Sequence, residues 1–120
     1  MILEFGRIIE AGNYEKERVV IRVPSDEDLG FYAVFQCKAD DDAVPYAGNT
    51  EHVYWFPSRS LKGGDLVILY SKNGTAGEKK NDSGSTSYFF YWGLPEPVWT
   101  TGKLPVLVNT TEWDAGRRIK

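Results

Sequence analysis

The chain holds one cysteine and one histidine in 120 residues, which removes most metal and nucleophile chemistry at the outset. A structural zinc site needs three or four Cys, His or carboxylate ligands, and Cys37 with His52 cannot supply a standard set. Nucleophilic catalysis of the Ser-His-Asp or Cys-His kind needs a base within hydrogen-bond reach. His52 is the sole histidine, and its place at the start of an expected strand gives it a structural or surface role. Cys37 has no partner for an internal disulfide, so folding does not depend on an oxidising compartment. Between Gln36 and Lys38 it reads as a small core hydrophobe. Long apolar runs are absent too. Ile2, Leu3, Phe5, Ile8 and Ile9 are broken by Glu4, Arg7 and Glu10, which excludes a signal-peptide core, and no stretch approaches a membrane span. The expected location is cytoplasmic, and Asn73-Gly74-Thr75, Asn81-Asp82-Ser83 and Asn109-Thr110-Thr111 read as chance matches to the glycosylation pattern.

Neither sign of charge dominates. The net charge is -3 with Lys and Arg dispersed, whereas counterion release from phosphates needs a concentrated basic face, so nucleic acid is not an expected partner. The same small charge excludes an acidic mimic of nucleic acid. Asp26-Glu27-Asp28 and Asp40-Asp41-Asp42 lack the alternating ligands and glycine turn of an EF-hand and read as solvated acidic loops. Asn73 to Lys80 has glycines and lysines without the spacing of a phosphate-cradling Walker loop or a helix to follow it. Seventeen Asp and Glu make some carboxylate pair inevitable by chance, which is no argument for a glycosidase. No catalytic group, metal or cofactor is expected.

What the chain has in quantity is aromatic side chains, with four Trp, seven Tyr and six Phe. Each can bury about 150–250 Å², so a domain of this size can be stable without a staple. Apolar residues recur at period two in short runs bounded by Gly, Pro, Asn and Asp, and no segment keeps helical spacing over three turns. Strands are expected over Leu3 to Glu10, Arg18 to Val23, Phe31 to Lys38, Glu51 to Phe56, Leu66 to Ser71, Ser87 to Gly93 and Leu104 to Asn109, with Val98 and Trp99 as a short extra pairing. Val19, Ile21 and Val23 share one face and should be buried. Phe31, Ala33, Phe35 and Cys37 share another, opposite Tyr32, Val34, Gln36 and Lys38. Ile21, Ile68 and Val106 are the expected core residues of their strands. About seven such strands make one all-β domain over residues 1–120, an immunoglobulin-like antiparallel sandwich in outline. Ala39 to Thr50 and Lys72 to Thr86 are its expected long surface loops.

Phe56-Pro57, then Leu61-Lys62-Gly63-Gly64-Asp65-Leu66-Val67-Ile68-Leu69-Tyr70, then Tyr91-Trp92-Gly93, Val98-Trp99 and Leu107 together resemble the lamin tail domain. Leu29-Gly30-Phe31-Tyr32 stands where that family often begins a strand, so the resemblance covers most of the chain. The aromatic run is also similar to one in small stand-alone bacterial proteins. The resemblance implies a fold used as an interaction module, at the ends of nuclear lamins and appended to bacterial proteins, with no shared active site; as a fold-level analogy it leaves function to be argued from a site.

The run Tyr88-Phe89-Phe90-Tyr91-Trp92 is the most distinctive feature. In a strand, Tyr88, Phe90 and Trp92 face one side and Phe89 and Tyr91 the other, so both sides carry rings. Tyr91 and Trp92, joined by Tyr54 and Trp99, are the candidate binding residues, with Lys79 and Lys80 on the adjoining loop. The expected function is a non-enzymatic module that binds another protein or itself through this aromatic strand or a sheet edge. The alternative is a small-molecule or nucleotide-binding domain with an aromatic-lined pocket.

Overall fold

The computed structural model describes residues 1–39 and 45–120, with the side chains of 45–49 left aside. Asp40, Asp41 and Asp42 lie outside the described residues. Ten strands occur among the described residues: β1 (Glu4–Ile9), β2 (Arg18–Arg22), β3 (Glu27–Asp28), β4 (Tyr32–Ala39), β5 (Pro45–Trp55), β6 (Ser60–Leu61), β7 (Leu66–Tyr70), β8 (Gly77–Lys80), β9 (Thr86–Tyr91) and β10 (Lys103–Asn109). They form a five-stranded sheet in the order β1-β2-β7-β9-β8, a three-stranded sheet β10-β4-β5 and the small pair β3-β6. The all-β, mostly antiparallel class is as expected. One pairing departs from it: β9 runs parallel to β7 and antiparallel to β8, because the chain leaves β7, forms β8 at the sheet edge and returns between the two.

Three strands fall outside the expected set. β3 and β6 are two-residue pairings too short to show a period. β8 lies inside the expected Lys72 to Thr86 loop, where its sequence Gly-Glu-Lys-Lys has no apolar alternation; all four residues are exposed and the backbone pairing with β9 alone makes the strand. That loop also packs at its start, since a Cβ on Gly74 would come within 2.4 Å of the Tyr91 ring. Val98 and Trp99 are not a strand but a buried irregular segment.

The two larger sheets share one core. Val19 and Ile21 of β2, Val67 and Leu69 of β7 and Phe90 of β9 meet Tyr32 and Val34 of β4, with Phe56, Leu61, Val98 and Trp99 between them. Val19, Ile21 and Val23 are buried as expected. Ile68 and Val106 are not core residues. In β7 the inward positions are Val67 and Leu69, and Ile68 sits half-buried on the outer face beside Val20 and Phe89. In β10 it is Leu107 that packs on the core, while Val106 lies across from Phe35 on the outside. Both strands are apolar at successive positions, so period two cannot select their inner face.

Two carboxylates that periodicity does not reveal hold the layers in place. Glu17 is fully buried; its Oε1 accepts from the Gly12 N–H at 2.8 Å, and its Oε2 accepts from the Ser71 hydroxyl and from the N–H groups of Val98 at 2.7 Å and Trp99 at 3.4 Å. It thus joins the β1-β2 turn to the end of β7 and to the Val98–Trp99 segment. Asp65 closes the turn before β7 by accepting from Lys62 N at 2.8 Å, and its other oxygen accepts from Thr86 N at 2.9 Å, fixing the start of β9. Gly64 in that turn has φ +96°, a conformation that side chains resist.

Candidate interaction surface

The six residues expected to form a binding site do not converge. Tyr54, Trp92 and Trp99 do gather, with Tyr54 6.0 Å edge-on from Trp92 and Trp92 6.1 Å from Trp99. They gather inward, however: Tyr54 also meets the Phe56 ring at 5.1 Å, Trp99 is buried, and Tyr54 and Trp92 pack half-buried against the core. Burial pushes the Tyr54 hydroxyl above its ordinary ionisation range. Tyr91 faces the other side of β9 and stacks on Tyr70 at 5.2 Å and 10°, with the cationic groups of Arg18 and Lys72 over the Tyr70 ring at 5.6 and 5.4 Å. Lys79 and Lys80 stand exposed on β8, across from Ser87 and Thr86 at the start of β9. Trp92 follows the other end of β9, about 17 Å from Ser87 at strand rise. These lysines are the charges that keep an edge strand from pairing further.

A contiguous apolar face, exposed at Val53 and Trp55 with Ala33 and Cys37 buried between the strands, lies elsewhere, on the outer side of β10-β4-β5. Residues directly opposite in an antiparallel pair share a face. The registers place Val108, Ala33 and Trp55 in one row, Val106, Phe35 and Val53 in the next, and Leu104, Cys37 and Thr50 in a third. An antiparallel sheet with one face in the core ordinarily turns polar residues to the other. Here the two upper rows are apolar throughout. Val53 and Trp55 remain 48% and 47% exposed, and Trp113, 65% exposed, lies over the sheet with its ring edge-on to Trp55 at 5.1 Å. The Trp55 indole is held by its N–H, which donates to the Gly30 carbonyl at 3.0 Å. Between the two indoles and the strands lies a cleft of about 280 Å³, with Phe35 and Val108 in its floor and Thr110 and Glu112 at its side. The Thr110 hydroxyl is buried there without a hydrogen-bond partner.

One strand of the three is visible in the sequence, as the shared face of Phe31, Ala33, Phe35 and Cys37. Phe31 leaves it for a short 3-10 turn capped by Asp28, whose carboxylate accepts from Gly30 N at 2.7 Å. What no single strand discloses is which strands lie beside β4, and hence that three apolar faces add together. The registers also separate the two reactive side-chain types: Cys37 is buried on the outer-face side of β4 with its Sγ 3.4 Å from Thr50 Oγ1, while His52 lies across from Gln36, on the opposite side of the sheet.

Among the described residues no three His, Cys, Asp or Glu side chains come together as a metal site, and no helix is long and apolar enough to cross a membrane. No protein-family model matches the chain, and no curated protein matches it.

Proposed function

We propose that this chain is a non-enzymatic interaction module that holds an apolar side chain of a partner protein in the cleft between Trp55 and Trp113. The observation that carries the reading is the contiguous apolar outer face of β10-β4-β5, open at Val53, Trp55 and Trp113. Its size argues for the kind of occupant. Two rows on three strands span on the order of 15 Å by 15 Å, well short of the roughly 800 Å² per partner of a stable globular complex. The 280 Å³ cleft is near the lower end of small-ligand sites and suits a single anchor residue. Glu112, at the side of the cleft and without an ion-pair partner among the described residues, favours a basic residue next to that anchor. The resemblance of Phe56-Pro57, Leu61 to Tyr70 and Tyr91-Trp92-Gly93 to lamin tail domains, an immunoglobulin-like fold used for interactions, supports the same reading.

Selection of short peptides from a random display library on the immobilised protein tests it. Enriched peptides should share one large apolar residue beside Lys or Arg, and should lose binding to Val53→Asp, an exposed change that leaves the core intact. Enrichment of peptides that bind Val53→Asp equally well, or no enrichment, overturns the proposal. Sedimentation from low to high protein concentration gives the remaining outcome: a dimer abolished by Val53→Asp makes a second copy the occupant and displaces the partner reading.

A further inference from the structure

A second cleft, of about 410 Å³, lies on the inner side of the three-stranded sheet where the 94–100 segment crosses it. Its floor is Gln36, 4% exposed on β4. The Gln36 Nε2 donates to the Val98 carbonyl at 2.7 Å, which fixes the orientation of the carboxamide and leaves Oε1 as a buried acceptor with no partner. Glu51 and Lys103 line one wall and are spent on each other: the Lys103 ammonium donates to Glu51 Oε1, and Lys38 lies 3.9 Å from the same oxygen. Glu96 lines the opposite wall and has neither an ion pair nor a hydrogen-bond partner among the described residues. Leu94, Pro95 and Pro97 make the rest of that wall apolar.

The unpartnered Glu96 carboxylate and Gln36 Oε1 are both acceptors and the one lysine is already paired, while His52 and Thr100 complete the lining with groups that donate as well as accept. We propose that the cleft binds a compact organic cation bearing N–H donors, of the alkylguanidinium or alkylammonium class. The cationic head lies between the Glu96 carboxylate and Gln36, and the alkyl part lies on Leu94, Pro95 and Pro97. Guanidinium fits best, because its planar donors can meet a carboxylate and a carboxamide oxygen together. The volume falls within the range of small-ligand sites, and an anion meets an unpaired carboxylate there with no free ammonium to answer it. The site is on the other side of the sheet from the Trp55–Trp113 cleft, so either proposal can fail without the other.

The test is a titration of the full chain, labelled with ¹⁵N, with butylguanidinium, and separately with propionate and 1-butanol, followed by NMR. Butylguanidinium should move the Gln36 side-chain amide and the His52 signals saturably, with Kd at or below about 5 mM. Propionate and butanol should leave those signals in place. Glu96→Gln should weaken butylguanidinium about tenfold or more, with an unchanged unfolding midpoint because Glu96 is exposed. Equal shifts with propionate or butanol, the absence of a saturable shift, or undiminished affinity in Glu96→Gln overturns the assignment.

Discussion

Replacing Glu17 with alanine takes one fully buried carboxylate out of a place where three segments meet. The lost partners are Gly12 N at 2.8 Å, the Ser71 hydroxyl, Val98 N at 2.7 Å and the longer contact to Trp99 N at 3.4 Å. Gly12 is exposed and recovers a hydrogen bond from water. Ser71 and Val98 are buried and do not, and an orphaned buried donor costs about 1–3 kcal/mol. With the space left by the side chain, the expected loss is about 3–5 kcal/mol. Glu17→Gln keeps the shape and one acceptor oxygen, but turns an amide N–H₂ toward donors on one side, so it should lose roughly half as much. Urea denaturation followed by tryptophan fluorescence measures both, as a lowered midpoint at constant slope. A loss below about 1 kcal/mol for Glu17→Ala would mean that the buried donors find other partners and that Glu17 does not hold the three segments together. The consequence reaches the 410 Å³ cleft as well, because the segment that Glu17 ties down carries Val98 in its wall.

The inward facing of the strands predicts that Ile21→Ala costs about 2–5 kcal/mol and Ile68→Ala clearly less, near 1–2 kcal/mol, in the same denaturation assay; equal losses would contradict the assigned faces. Hydrogen bonds from Gly30 N and the Ser58 hydroxyl hold the Asp28 carboxyl below its ordinary value of 3.8, the Gly63 N–H with Lys62 does so for Asp26, and Lys103 lowers Glu51. Their stabilisation is present above the unfolded-state pKa and is lost as pH falls through the lowered folded values, so the midpoint should drop on acidification below about pH 4. Tyr54 has the opposite sign: burial raises its pKa from 10.0, so its contribution is present below that value and lost as pH rises beyond it. An unfolding midpoint that is flat from pH 2 to pH 11 would contradict both assignments.

How far the sequence could be read depended on whether a residue acts through its own strand or through its neighbours. Val19, Ile21 and Val23 alternate with charged Arg18 and Arg22, and that contrast was enough to name their buried face. Leu66 to Tyr70 offers no such contrast, so alternation alone does not show that Ile68 faces outward. The seven longer strands are legible because each carries apolar residues between turn signals, although β5 begins at Pro45, inside the expected Ala39 to Thr50 loop; β8 is a strand only because β9 offers it a hydrogen-bonding edge. The candidate site was read from the aromatic run, the densest local signal, yet its rings mostly face each other across the core or stack, as Tyr91 does on Tyr70. The outer face of β10-β4-β5 draws on residues as far apart in sequence as Ala33, Trp55 and Val108, and only the register brings them into one row. Glu17 and Gln36 gave no local sign of burial, because a buried polar side chain is defined by partners distant in the chain.

One comparison tests whether the outer face of the three-stranded sheet is the docking surface. Affinity for a peptide selected on the wild-type protein is measured side by side for wild type, Val53→Asp on that face and Lys79→Glu on the edge strand β8. Val53→Asp should lose about tenfold or more and Lys79→Glu should stay within about twofold of wild type. Equal affinities for wild type and Val53→Asp, or a larger loss in Lys79→Glu, would place the interaction at the other sheet and contradict the assignment of this face.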